Sequence, residues 1–226
     1  MSRSICRMSF AIVFAAALVA VTAWTSSTQA AIVMFTMGGS DNFGTAIDVD
    51  FTLEEVGGDV KFTITVDPAG PNNTGNIADL RGIFMHISDE TLLSNITATG
   101  ADVTDQQYSA NNVINLGNGA NLNGDGTQSF DLGVEIGSSG IGGGDDFQTT
   151  MFTLSHSTET LTIANFIFDG TEFGVRATST GPAGGSRGGS SKLVGPPDIT
   201  TVPAPAALPT GIALMGLFAA KRRRRA

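Results

Sequence analysis

Between residues 31 and 199 the chain repeatedly alternates apolar and polar side chains with a period of two, and no long stretch keeps the spacing of an amphipathic helix. Residues 47–53 read Ile-Asp-Val-Asp-Phe-Thr-Leu, and residues 59–66 place Val60, Phe62, Ile64 and Val66 on one face. Gly57-Gly58 separates these two runs, which predicts a hairpin closed by a tight turn. Further strands are expected over residues 32–37, 83–87, 96–103, 130–136, 150–154, 161–168 and 173–178. About nine or ten short strands with turn residues between them predict an all-β body, a single β-sandwich or jelly-roll domain over residues 31–180. Residues 111–126 and 137–146, rich in glycine and asparagine or glycine and aspartate, read as loops. Residues 181–201 read as a Gly/Ser/Pro-rich connector, with at most a last strand at 192–194.

The two ends follow a different pattern. In residues 1–30, Arg3 and Arg7 precede an apolar run from Phe10 to Trp24, and a small polar stretch ends in Gln29-Ala30. This is the three-part plan of a cleavable signal peptide, with cleavage expected between Ala30 and Ala31. Fifteen helical residues span only about 22 Å, short of the roughly 30 Å that a lasting anchor must cross. At the other end, Val202, Pro203, Ala204, Pro205 and Ala206 are followed by an apolar run to Ala220, then by Lys221, Arg222, Arg223, Arg224 and Arg225. The prolines hold the chain extended up to about Leu208, leaving a short hydrophobic helix of roughly 20 Å that the basic cluster would stop on the cytoplasmic side.

Charge and cysteine content narrow the function classes. The formal net charge of the whole chain is −9, but the body opposes 21 acidic residues with five basic ones, about −16. A body this acidic repels nucleic acid and anionic lipid. The one cysteine, Cys6, lies in the leader, so the body has no disulfide, thiolate metal site or cysteine nucleophile to draw on.

The order of motif, apolar run and arginines at residues 202–226 resembles the PEP-CTERM sorting signal of Gram-negative bacteria, in its Val-Pro-x-Pro-Ala variant, although Ala204 stands where the namesake motif has glutamate. That resemblance implies recognition and removal of the tail by an exosortase-like membrane peptidase. It implies passage through the general secretion machinery and transient insertion in the inner membrane, then a final place at the cell surface or in a polysaccharide-rich biofilm matrix. The body also resembles uncharacterised β-rich domains of such proteins around Phe173-Gly174-Val175-Arg176 and Ser190-Ser191-Lys192-Leu193. No activity comes with that likeness.

Candidate chemistry in the body is sparse. Asn121, Asn123 and Asp125 set oxygen side chains at alternate positions before Gly126, like the first half of a calcium loop, and Asp145 and Asp146 could supply oxygens from another loop. Leu132 falls where such a loop needs a bidentate glutamate, so the stretch reads first as an asparagine-glycine turn without metal, and as a calcium site only second. His86 and His156 come with no nucleophile or metal spacing. The adjacent acids Glu54-Glu55, Asp89-Glu90 and Asp145-Asp146 would point opposite ways on a strand, which spoils a glycosidase dyad. The expectation is therefore a non-catalytic surface or matrix protein, structural or adhesive. An extracellular polysaccharide- or calcium-binding module is the alternative, and a glycan hydrolase stands third.

Overall fold

A computed structural model describes residues 30–124 and 129–201, and those residues are all-β. The strands are β1 (Ile32–Met37), β2 (Asn42–Gly44), β3 (Val49–Val56), β4 (Asp59–Val66), β5 (Asn76–Met85) and β6 (Ile96–Thr99). They continue with β7 (Val103–Val113), β8 (Phe130–Ile136), β9 (Thr149–His156), β10 (Phe173–Pro182), β11 (Gly189–Gly195) and β12 (Asp198–Thr201). Two antiparallel six-stranded sheets result, in the orders β12-β1-β3-β4-β9-β6 (the first sheet) and β2-β11-β10-β5-β8-β7 (the second sheet). The chain crosses between them repeatedly, so most of the stabilising contacts join residues distant in sequence.

The β3–β4 hairpin forms as its alternation requires. Val56 pairs with Asp59 across the two-residue Gly57-Gly58 turn, whose φ values of 65° and 101° suit glycine at both positions. Every second residue of this pair is buried, and Phe51, Leu53, Phe62 and Ile64 enter a core shared with Leu80, Ile83, Leu132, Val134, Phe173 and Val175 of the second sheet. Aromatic stacking knits that core: Phe35 lies 4.7 Å from Phe51, and Phe62 lies 5.1 Å from Phe152.

The second sheet departs from simple alternation. β8 is buried at every position and β5 at all but its first two, because this sheet is covered on both faces. On its outer face Phe84, Val113, Leu116, Ala120, Leu122 and Phe130 form a second, smaller core. Phe84 pairs with Gly133 on one side and Gly174 on the other. A Cβ at Gly133 would stand 2.8 Å from Leu116, and one at Gly174 would stand 2.5 Å from Leu122, so the two glycines form a seat onto which the covering loop closes. A bulge in β5 opposite Arg176/Ala177 lets Leu80 and Ile83 both face the main core.

Three expectations need correction. Residues 161–168 are not a strand: Ile163–Asn165 is a 3-10 turn, because Thr162 and Asn165 form a reciprocal cap. Its apolar residues Leu161, Ile163 and Phe166 enter the core from that turn, with Phe166 edge-on to Phe62 at 5.4 Å. Residues 181–201 are not a connector. β10 runs on to Pro182, β11 occupies 189–195 and β12 pairs with β1, so the fold extends to Thr201. The glycine-rich turn between β10 and β11 is held by Arg187, which donates two hydrogen bonds of 2.7 Å to Asp146 and a third of 2.8 Å to Ser179 O. The expected strand over 96–103 is split at Gly100: β6 ends there in the first sheet, and β7, paired with β8 in the second, runs from Val103 to Val113. Where β6 and β7 meet, Tyr108 donates from its hydroxyl to Gln106 Oε1 at 2.5 Å, and both side chains accept from Ala98 N. Burial pushes the Tyr108 phenol up to about 12.

Candidate functional site

The leader through residue 29, the sorting motif at 202–206 and the basic cluster at 221–225 lie outside the described residues. Of the expected cleavage pair Ala30 and Ala31, Ala31 is already tied to the body: its carbonyl accepts a 3.0 Å hydrogen bond from Glu55 N. The other end of the described chain is close by. Thr201 pairs with Val33, so the described chain begins and ends on adjacent strands at one pole of the body.

The calcium candidates are placed and engaged separately. Asn121 forms an isolated bridge with Asn115, and Asn123 offers its carbonyl to Lys192 Nζ. Asp125 lies outside the described residues. Asp145 accepts from Ser138 N at 2.7 Å and Ser139 N at 3.1 Å, and these bonds hold its carboxyl below the usual range. Asp146 is lowered chiefly by its two-pronged bond to Arg187. Among the described residues no three His, Cys, Asp or Glu side chains gather as a metal site.

The other titratable groups brace the fold. Asp131, buried, accepts from His86 Nδ1 at 3.1 Å, Ile87 N at 2.9 Å and Asn111 N at 2.7 Å, which ties β7 and β8 to the end of β5. His156 Nδ1 accepts from Glu159 N at 2.9 Å and so closes a turn. Glu54 faces Lys61 at 3.8 Å, whereas Glu55 accepts from Ile163 N at 2.8 Å, the opposite directions expected of strand neighbours. Asp89 caps Thr91, and Glu90 accepts from Asn111 Nδ2.

A buried ionic group was invisible in the sequence. Arg81 is 2% exposed, with Nη2 3.4 Å from Glu135 and Nη1 3.9 Å from Asp145. Among the described residues Nη1 has no hydrogen-bond partner. Burial raises both Glu135 and Asp79, the latter accepting from Phe147 N at 2.9 Å and Thr178 Oγ1 at 3.3 Å. These groups lie beneath the 137–147 loop and fix it to the second sheet.

A pocket of about 630 Å³ opens where β1 ends and β12 begins. Its lining comes from three separate stretches: Thr36 with Gly38 to Asp41, Pro71-Asn72, and Pro196 to Asp198. At its base Asp48, fully buried, accepts from Asn72 N at 2.9 Å and Asn72 Nδ2 at 2.6 Å, which fixes the asparagine. Burial raises the Asp41 carboxyl against the opposing bond from Gly38. The only sequence signal for this pocket was a pair of turn clusters, Gly38-Gly39-Ser40-Asp41 and Pro196-Pro197, at strand ends. No family model, curated protein or solved structure matches this chain.

Proposed function

We propose that this is an exported surface or matrix protein with a β-sandwich body, structural or adhesive in role, whose tail is removed by an exosortase-like membrane peptidase. The observation that carries this reading is the order at the chain's end: Val-Pro-Ala-Pro-Ala, a short apolar run, then Lys-Arg-Arg-Arg-Arg. The pairing of Thr201 with Val33 supports it, because a leader before Ala31 and a tail after Thr201 would both leave the body from one pole and could occupy one membrane together. A body with no cysteine also suits a fold completed outside the cell without disulfide exchange.

Mass spectrometry of the protein recovered from its host tests this directly. The expected chain starts near Ala31 and ends within or just after the 202–206 motif. Replacing Pro203 and Pro205 with alanine should leave export intact and let uncut protein collect in the membrane. Recovery of chains that still carry Arg225, with no effect of the proline changes, would reject sorting in favour of a plain tail anchor. A second reading, a polysaccharide-binding module, is favoured by the polar pocket at the opposite pole.

A further inference from the structure

β1 and β12 run antiparallel, so the pole where the chain leaves the body at Thr201 is opposite the pole that carries the pocket. A body held to a surface by its tail would turn the pocket outward. The volume of about 630 Å³ falls within the range of sites for small ligands. Its lining combines polar side chains with three proline rings, Pro71, Pro196 and Pro197, as rigid apolar surface. With its Nδ2 held by Asp48, Asn72 keeps its carbonyl oxygen as an acceptor in the same lining as the exposed Ser40. Two carboxylates, Asp41 and Asp198, complete the lining, which contains no lysine or arginine.

This chemistry selects a ligand class. A purely apolar molecule would leave the carboxylates and the amide unpaired. An anionic sugar would meet two like charges and the field of a strongly acidic body. A bare metal ion would find only two carboxylates, and no cluster of three ligating acids or histidines exists among the described residues. A sugar chain presents C–H faces to the proline rings and hydroxyls to Asn72 and Ser40, and ammonium substituents would pair with Asp41 and Asp198. We propose that this pocket binds an amino-sugar oligomer, a glycan carrying protonated amine groups. The proposal rests on the reading of the body as a displayed surface module and gives that module its ligand. Asp41 supports it, because a carboxylate whose ionisation is opposed by burial gains most from an incoming cation.

Calorimetric titration of the full chain, purified in detergent, with a β-1,4-linked glucosamine hexamer in mildly acidic buffer tests the site. Binding is expected for this probe, with much weaker binding of its fully N-acetylated counterpart and none of an oligogalacturonate. Asp41→Asn and Asp198→Asn should each weaken it by roughly 10- to 100-fold, the loss of one charge-assisted contact. Should Asp41→Asn fail to fold, Ser40→Arg, at an exposed position, should abolish binding without changing the melting temperature. Equal binding of hexalysine would overturn the proposal in favour of an unspecific cation patch, and displacement of the glycan by calcium alone would overturn it in favour of a metal site. No heat with the glucosamine hexamer, or heat indifferent to all three substitutions, would also reject it. The titration does not depend on tail processing: a chain found uncut on cells refutes sorting and leaves this result standing, and the reverse holds equally.

Discussion

The outer faces of the two sheets are built on opposite principles. On the first sheet, Met34, Thr52, Thr63 and Met151 lie in one row across β1, β3, β4 and β9, and the two methionines are 44% and 53% exposed. Nothing among the described residues covers that row. The corresponding row on the second sheet is Gly133, Phe84 and Gly174, and Leu116 and Leu122 from the loop after β7 close over it. One sheet buries a single face and meets water through hydroxyls, while the other is roofed and has cores on both sides. The second sheet therefore bears the packing load twice, and the stability of the loops depends on it.

That contrast can be broken most severely at Phe84. Phe84→Ala should destabilise the protein by about 3–5 kcal/mol in denaturant titration, as much as a substitution in the main core. A cost under about 1 kcal/mol would show that the roof adds no packing. Next in size is Arg81→Met, which removes the cation beside Glu135 under the 137–147 loop. A loss of roughly 2–3 kcal/mol near neutral pH is expected, below the usual cost of breaking a buried pair because Glu135 can take up a proton. The folded-state carboxyls of Glu135 and Asp79 are raised by burial, so the cost of ionising them is absent below the ordinary carboxylate range and grows as pH rises through their raised values. The Arg81→Met penalty should accordingly shrink on acidification, and a penalty that stays constant with pH would show that Glu135 is not the group that loses its counter-charge. The smallest effect belongs to the bare face: Thr63→Ala should cost under about 1 kcal/mol. A larger loss there would mean that the row is covered after all.

The same contrast explains what the sequence could show. β3 and β4 bury one face, so their alternation revealed both strands and the turn between them. β7 is an edge strand whose side chains are mostly exposed, and Asp105-Gln106-Gln107 carries no apolar rhythm to mark it. Residues 161–168 misled because Leu161, Ile163 and Phe166 enter the core from a turn, where apolar spacing imitates a strand only in part. The glycines at 181, 184, 185, 188 and 189 read as slack, yet the turn they form is clamped by Arg187 to an aspartate 41 residues upstream. Candidate chemistry was least legible. His86 and Asp131 are 45 residues apart, and the pocket draws on three stretches that meet only in the fold, two through the β1–β12 pairing and the third through the hold of Asp48 on Asn72. Glycines inside apolar strands, at 133 and 174, were the one local sign of a roofed sheet.

The short strand β12 has a mechanical consequence. Its first residue, Asp198, lines the pocket, and its last, Thr201, is the last described residue of the body. A grip on the pocket and a hold beyond Thr201 are thus joined by four residues of backbone. A pull that enters through Ser40 or Asp41, just past the end of β1, and leaves through Thr201 on the antiparallel β12 loads the hydrogen bonds between the two strands in shear, all at once, instead of unzipping them one by one. Phe35 and Met37 of β1 sit in the main core, so the core resists that shear together with the backbone bonds.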